Sequence, residues 1–103
     1  MSPEEASAII WRIVKHERGF WRSQHFNEML EQRGYTIADV WKLLKSGVIE
    51  VPPRSDARHG NYRVRLFGRC LDGRETRLVV GLWRTGPCVL ISIVDVKARG
   101  KRS

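Results

Sequence analysis

At Gly47 the apolar period of this chain changes from about 3.6 residues to 2, and no other feature restricts the fold as much. Before it, apolar residues recur at the spacing of amphipathic helices. After it, β-branched residues alternate with polar ones in runs broken by Pro52-Pro53, Asp72-Gly73 and Thr85-Gly86-Pro87. Helices followed by strands are the order of an α+β domain, in which the helices lie on one face of a sheet. A chain of 103 residues has room for one such core, so residues 1–96 are expected to form a single domain and residues 97–103 a basic, flexible tail.

Local chemistry marks the elements. Ser2-Pro3-Glu4-Glu5 joins a capping serine, a proline at the first helical position and a glutamate three residues after the cap, which predicts a helix from Pro3 to Arg18, closed by Gly19. Its inward stripe is Ala6, Ile9, Ile10, Ile13 and Val14. Phe20 to Ser23 reads as a linker. Ser23 caps a second helix with Phe26, Met29 and Leu30 inward, ending at Arg33-Gly34. Thr36-x-x-Asp39 opens a third, whose stripe of Ile37, Val40, Trp41 and Leu44 stops at Gly47. Strands are predicted at Val48–Val51, Asn61–Cys70, Glu75–Trp83 and Cys88–Val96, joined as an antiparallel meander, with Pro52 to Gly60 as the longest loop. The expected architecture is therefore α+β, with N-terminal helices packed on one face of a mainly antiparallel four-stranded sheet.

Alternation then divides the strands. Tyr62, Val64 and Leu66 share one face with Thr76, Leu78, Val80 and Leu82, and that face meets the helices. The other face carries Arg63, Arg65, Arg69 and Arg77 interleaved with Phe67 and Trp83. Such a set suits phosphate contact and base stacking, so these six residues are the candidate nucleic-acid-binding surface. Trp41 belongs to the buried stripe, while Trp11 and Trp21 are expected to pack the first helix on the rest.

Charge supports a polyanionic partner: 19 Lys+Arg oppose 11 Asp+Glu, for a formal net charge of +8. Arginine outnumbers lysine, and its planar fork matches phosphate and stacks on bases. Cys70 and Cys88 show no metal-binding spacing and are expected to be reduced and buried. Walker, Rossmann and zinc motifs are absent from the sequence. No cofactor or metal is expected, nor any membrane span, and the expected location is the cytoplasm.

The stretch from Ser23 to Gly47, with His25 opening a helix, Arg33-Gly34 ending it and Asp39-Val40 in the next, resembles a bacterial domain-of-unknown-function family related to RelE- and BrnT-like toxins. The resemblance extends through Ser46-Gly47-Val48-Ile49-Glu50, Tyr62-Arg63-Val64, Asp72-Gly73-Arg74, Leu78-Val79-Val80 and Ile91-Ser92-Ile93-Val94, covering Ser23 to Val96. It implies a RelE-like fold, cleavage of messenger RNA and neutralisation by an antitoxin partner. The family pattern often has an arginine four residues after the histidine. Here that position is Met29, and no arginine role carries over to it.

Metal-independent RNA cleavage needs a base for the 2′-OH proton, cations for the phosphorane and an acid for the leaving oxygen. His25 is the family-matched acid–base candidate, and Arg63 and Arg77 are the candidates for charge stabilisation. His59 lies in the long loop, where a solvated turn also accounts for it. His16 and Arg33 sit in last helical turns, where a cation is favoured electrostatically. Two readings without catalysis stand beside this one: a nucleic-acid-binding module using the same face, and an adaptor for an acidic protein.

Overall fold

The computed structural model describes residues 1–16 and 20–97. Three helices, α1 (Pro3–His16), α2 (Gln24–Arg33) and α3 (Ile37–Ser46), pack on one face of a six-stranded mixed sheet. Its strands are β1 (Phe20–Arg22), β2 (Val48–Ile49), β3 (Arg54–Asp56), β4 (Asn61–Arg69), β5 (Glu75–Leu82) and β6 (Cys88–Asp95). The order is β1-β6-β5-β4-β2, and β3 also pairs with β4. The expected end of the first helix at Arg18-Gly19 and the tail beyond Lys97 lie outside the described residues.

The expected four-stranded antiparallel sheet thus gains two strands. Phe20 to Arg22, read as a linker, is a strand that runs parallel to β6, with Phe20 opposite Cys88 and Arg22 opposite Leu90. Within the expected long loop, Arg54–Asp56 pairs with the first residues of β4, while Val48-Ile49 pairs with Leu66 and Phe67 further along. The two short strands share one edge of β4. Pro52-Pro53 separates them, because proline has no N–H to give to a ladder and is confined to edges and breaks.

β4, β5 and β6 form the meander that the alternation predicts. In β6 strict alternation fails. Leu90 and Ile93 are both buried although three residues apart, an odd spacing that would put them on opposite faces. A bulge resolves this: Val79 pairs with Ser92 and Val80 with Leu90, so Ile91 is the extra residue. The core joins Ile9, Ile10 and Ile13 of α1, Phe26 and Leu30 of α2, and Val40, Leu43 and Leu44 of α3 to Val64, Leu78, Val80, Leu82 and Ile93 of the sheet.

Among the described residues, the caps of α2 and the N-cap of α3 are as the sequence signals. Ser23 Oγ accepts from the N–H of Phe26, and Gly34 takes the left-handed conformation at φ 72° while Tyr35 N–H reaches back to Leu30 O. Thr36 and Asp39 form a full capping box. In the third stripe, Ile37 stands at the rim, 39% exposed, and Leu43 fills the core in its place. Trp41 is half-buried, edge-on to Phe20 with ring centres 5.2 Å apart. Trp11 and Trp21 do not pack α1 onto the rest; they are 61% and 60% exposed. Cys70 and Cys88 are free and buried, and burial pushes the Cys88 thiol up to about 12. Among the described residues, no helix is long and apolar enough to cross a membrane.

Asp39 ties the helical layer to the β4–β5 turn. Its Oδ2 accepts from Thr36 N–H at 2.8 Å and its Oδ1 from Leu71 N–H at 2.8 Å. Burial alone would raise its pKa, but the backbone donors of Leu71 and Thr36 outweigh burial and hold the carboxyl below its usual 3.8. A depressed folded pKa means stability that is present above pH 3.8 and lost as pH falls through the folded value. Asp39→Asn should cost about 2 kcal/mol at pH 7 through loss of the charge-assisted cap. The gap between wild type and variant in urea melts should shrink steadily below pH 4. A gap independent of pH would contradict this role.

Candidate nucleic-acid interface

The helices cover one face of the sheet and leave the other open. Across β3, β4, β5, β6 and β1, cross-strand pairing sets Arg54 opposite Arg63, Arg63 opposite Gly81, Gly81 opposite Val89 and Val89 opposite Trp21. Partners in such a row share a face. The next row holds Arg65, Val79 and Ser92, and the row beyond it Phe67, Arg77 and Val94. Arginines therefore gather on the β3, β4 and β5 side of the open face, with aromatic rings at opposite ends. Trp21 and Trp83 lie at one end, ring centres 6.3 Å apart, and Phe67 lies at the other.

Gly81 keeps this face flat where Arg63 crosses it. A Cβ there would come within 2.8 Å of both Asn61 Nδ2 and Val89 Cγ1, so any side chain at this position forces its neighbours aside. Beside it, a groove of about 730 Å³ is lined by Pro52, Arg54, Asp56, Arg63, Arg65 and Ile91, among others.

The arginines are held differently. Arg63 Nη2 meets Asp56 Oδ2 at 3.4 Å, yet its Nε is buried without an acceptor. Arg77 stacks on Phe67, with its guanidinium carbon 4.9 Å from the ring centre, and its Nε is also buried without an acceptor. Arg65 is exposed. Arg69 is instead engaged by the turn that follows β4, donating to Gly73 O at 3.0 Å and approaching Glu75 at 3.5 Å. Its side chain stays 66% exposed.

His25 stands apart from this set. It occupies the first turn of α2, exposed, in the layer on the far side of the sheet from Arg63 and Arg77. Among the described residues its side chain makes no hydrogen bond or ion pair. The structure does not bring it together with the two arginines proposed to share its chemistry. His59, by contrast, joins Asp56 at 2.9 Å on the edge of the groove. The Asp56 carboxyl lies below its usual 3.8, chiefly through that bond to His59, with further help from Arg63.

Sequence reasoning missed three members of this surface. The sequence pattern puts Arg54 in a loop and Trp21 in a linker, and only their β-pairing turns them onto the open face. Asn61, 5% exposed with an unpartnered Oδ1, is the third; a buried polar residue opening a strand was its only signal.

The residues that carry the family resemblance mostly secure the fold. Arg33 Nη1 donates to Ile93 O at 2.6 Å and pins α2 to β6. Arg74 closes the C-terminus of α2, donating to the carbonyls of Arg33 and Gly34 at 3.0 and 2.7 Å while its guanidinium lies 4.1 Å from the Tyr35 ring centre. Asp72 holds Arg74 at 2.8 Å, and that contact, with the Cys70 thiol, brings the Asp72 pKa down to about 2. Tyr62 is half-buried beneath Arg84, which also pairs with Glu5 of α1.

Among the described residues, no cluster of three or more His, Cys, Asp or Glu side chains is arranged to hold a metal ion. No curated protein and no solved structure matched the chain. The model of a domain of unknown function, DUF4258, matches residues 22–95, the span that contains α2, α3 and the sheet apart from the first two residues of β1. The chain belongs to the DUF4258 family.

Proposed function

We propose that the open face of the sheet binds single-stranded RNA, as part of a RelE- or BrnT-like toxin that cleaves RNA without a metal and is restrained by an antitoxin. The observation that carries the binding part of this reading is the pair of Nε–H donors on Arg63 and Arg77. Both are withdrawn from water on the same face, and among the described residues neither has an acceptor. Leaving a donor so costs about 1–3 kcal/mol, and a phosphate oxygen at each would recover it. Trp21, Trp83 and Phe67 flank the arginines with ring faces on which bases can stack. The kinship to the toxins, and with it the RelE-like fold, rests on the short motifs between Ser23 and Val96.

Binding through phosphates releases counterions, so affinity for a labelled single-stranded RNA should fall linearly on a log–log plot against salt. Three or four phosphate contacts correspond to a slope of about −2 to −3. Fluorescence anisotropy between 50 and 300 mM salt, concentrations on the order of those at which counterion release is usually resolved, measures it. A salt-independent affinity, or none, removes the reading.

A second reading, a nucleic-acid-binding module without catalysis, is favoured by one observation: the sheet separates His25 from the arginines. RNA that stays intact with and without EDTA, while shifting in a gel, would select it. Co-purification with an acidic protein and no RNA affinity would select the adaptor.

A further inference from the structure

The β3–β4 hairpin ties a second histidine to the arginine face. Between Asp56 and Asn61 the chain reverses through Gly60, at φ 69°, with Gly60 N–H donating to Asp56 O at 2.9 Å. The same aspartate gathers the side chains. Its Oδ2 meets both His59 Nδ1, at 2.9 Å, and Arg63 Nη2, at 3.4 Å, so the imidazole and the guanidinium are neighbours on one oxygen. An ionised carboxylate at Nδ1 accepts the ring proton there, which leaves Nε2 as the basic nitrogen. The imidazole is 56% exposed, so a ligand can reach the ring.

Two unmet hydrogen-bonding groups lie along the same strand. Asn61 Oδ1 is a buried acceptor without a donor, and Arg63 Nε is a buried donor without an acceptor. A simple anion would satisfy only the second. A ligand that satisfies both carries a hydroxyl or N–H group close to an anionic oxygen, and a ribonucleotide, with its 2′-hydroxyl beside a phosphodiester, has that chemistry.

We infer that His59, Asn61 and Arg63 form a ribonucleotide subsite in which His59 is the general base for RNA cleavage and Asp56 its positioning residue. This rests on the RNA-binding reading above. His59 Nε2 takes the 2′-OH proton as the 2′-oxygen forms its bond to phosphorus. The bond from phosphorus to the 5′-oxygen breaks, its electron pair staying on the departing oxygen, which takes a proton from water. The hydroxide so formed recovers the proton held by the imidazolium. Nothing is oxidised or reduced, and the products are a 2′,3′-cyclic phosphate and a free 5′-hydroxyl. Arg63 Nε–H donates to a non-bridging oxygen, where negative charge grows.

The test uses the full chain, a short labelled single-stranded RNA, the all-deoxy version of the same oligonucleotide, and EDTA throughout. Wild type should cleave the RNA to cyclic-phosphate ends and bind the DNA without cleaving it. His59→Ala should slow single-turnover cleavage of bound RNA by about 10²–10⁴-fold. Asp56→Asn should lower kcat without weakening RNA binding, since it takes an anion away from Arg63, and Asp56→Glu should restore part of kcat. RNA bound but left intact by wild type, or cleaved equally fast by His59→Ala, overturns the inference and leaves the binding reading standing. So does activity lost in His25→Ala and retained in His59→Ala. RNA neither bound nor cleaved overturns both.

Discussion

Replacing Arg63, Arg65 and Arg77 together by alanine should weaken single-stranded RNA binding at least about 100-fold at low salt and flatten the salt dependence by a slope of about 2. Each lost contact is a charge-assisted hydrogen bond worth about 1.5–3 kcal/mol, reduced here by partial exposure of the side chains. Thermal stability should not fall with it. Among the described residues, Arg63 and Arg77 each hold a buried Nε–H without an acceptor, so their removal relieves an unmet donor and offsets the loss of the part-exposed Asp56 pair and the Phe67 contact. A variant that keeps its melting temperature and loses RNA separates a binding face from a merely structural one. Unchanged affinity would put the binding surface elsewhere.

Phe26→Ala should have the largest effect on folding. Phe26 is 0% exposed and sits where α2 meets the core of the sheet. Truncating a buried phenylalanine costs about 3–5 kcal/mol, through lost transfer energy and the cavity left behind. Domains of this size have about 5–15 kcal/mol in total. At about 4–8 °C per kcal/mol, the melting temperature should drop by 12 °C or more in a circular dichroism melt. A drop under about 5 °C would mean that α2 is not anchored through this side chain. The effect should be local in one respect: Arg33 also pins α2 to β6, so Phe26→Leu, which keeps most of the volume, should retain most of the stability.

The candidate site was legible in part. Arg63, Arg65, Phe67, Arg77 and Trp83 fall on the open face because β4 and β5 are long enough for alternation to hold, and the Asp72-Gly73 turn sets their register. Arg69 obeys the same alternation but lies beside the turn, where Glu75 and the Gly73 carbonyl engage it. Spacing cannot report that competition. The motif around His25 points to the site, whereas the fold sets this residue in the opposite layer. His59 reads in the sequence as a polar residue of a loop. It gains a carboxylate and an arginine neighbour only once Arg54–Asp56 pairs with β4.

What the sequence by itself determined is what neighbouring residues decide among themselves: three capped helices, the change of period at Gly47, the meander of three strands and the basic face on two of them. Caps, turns and alternation act over a few residues, and their chemistry is present before the chain is folded. The tertiary structure decided the rest. β1 and β3 are three residues each, too short to show a period, and exist because β6 and β4 offer them ladders of free hydrogen-bonding groups. The bulge at Ile91 arises because Leu90 and Ile93 both bury against the helices. The row from Trp21 to Arg54, and the meeting of His59, Asp56 and Arg63, follow from those pairings. They join residues far apart in the chain or on opposite arms of a hairpin, through backbone hydrogen bonds that no local pattern encodes.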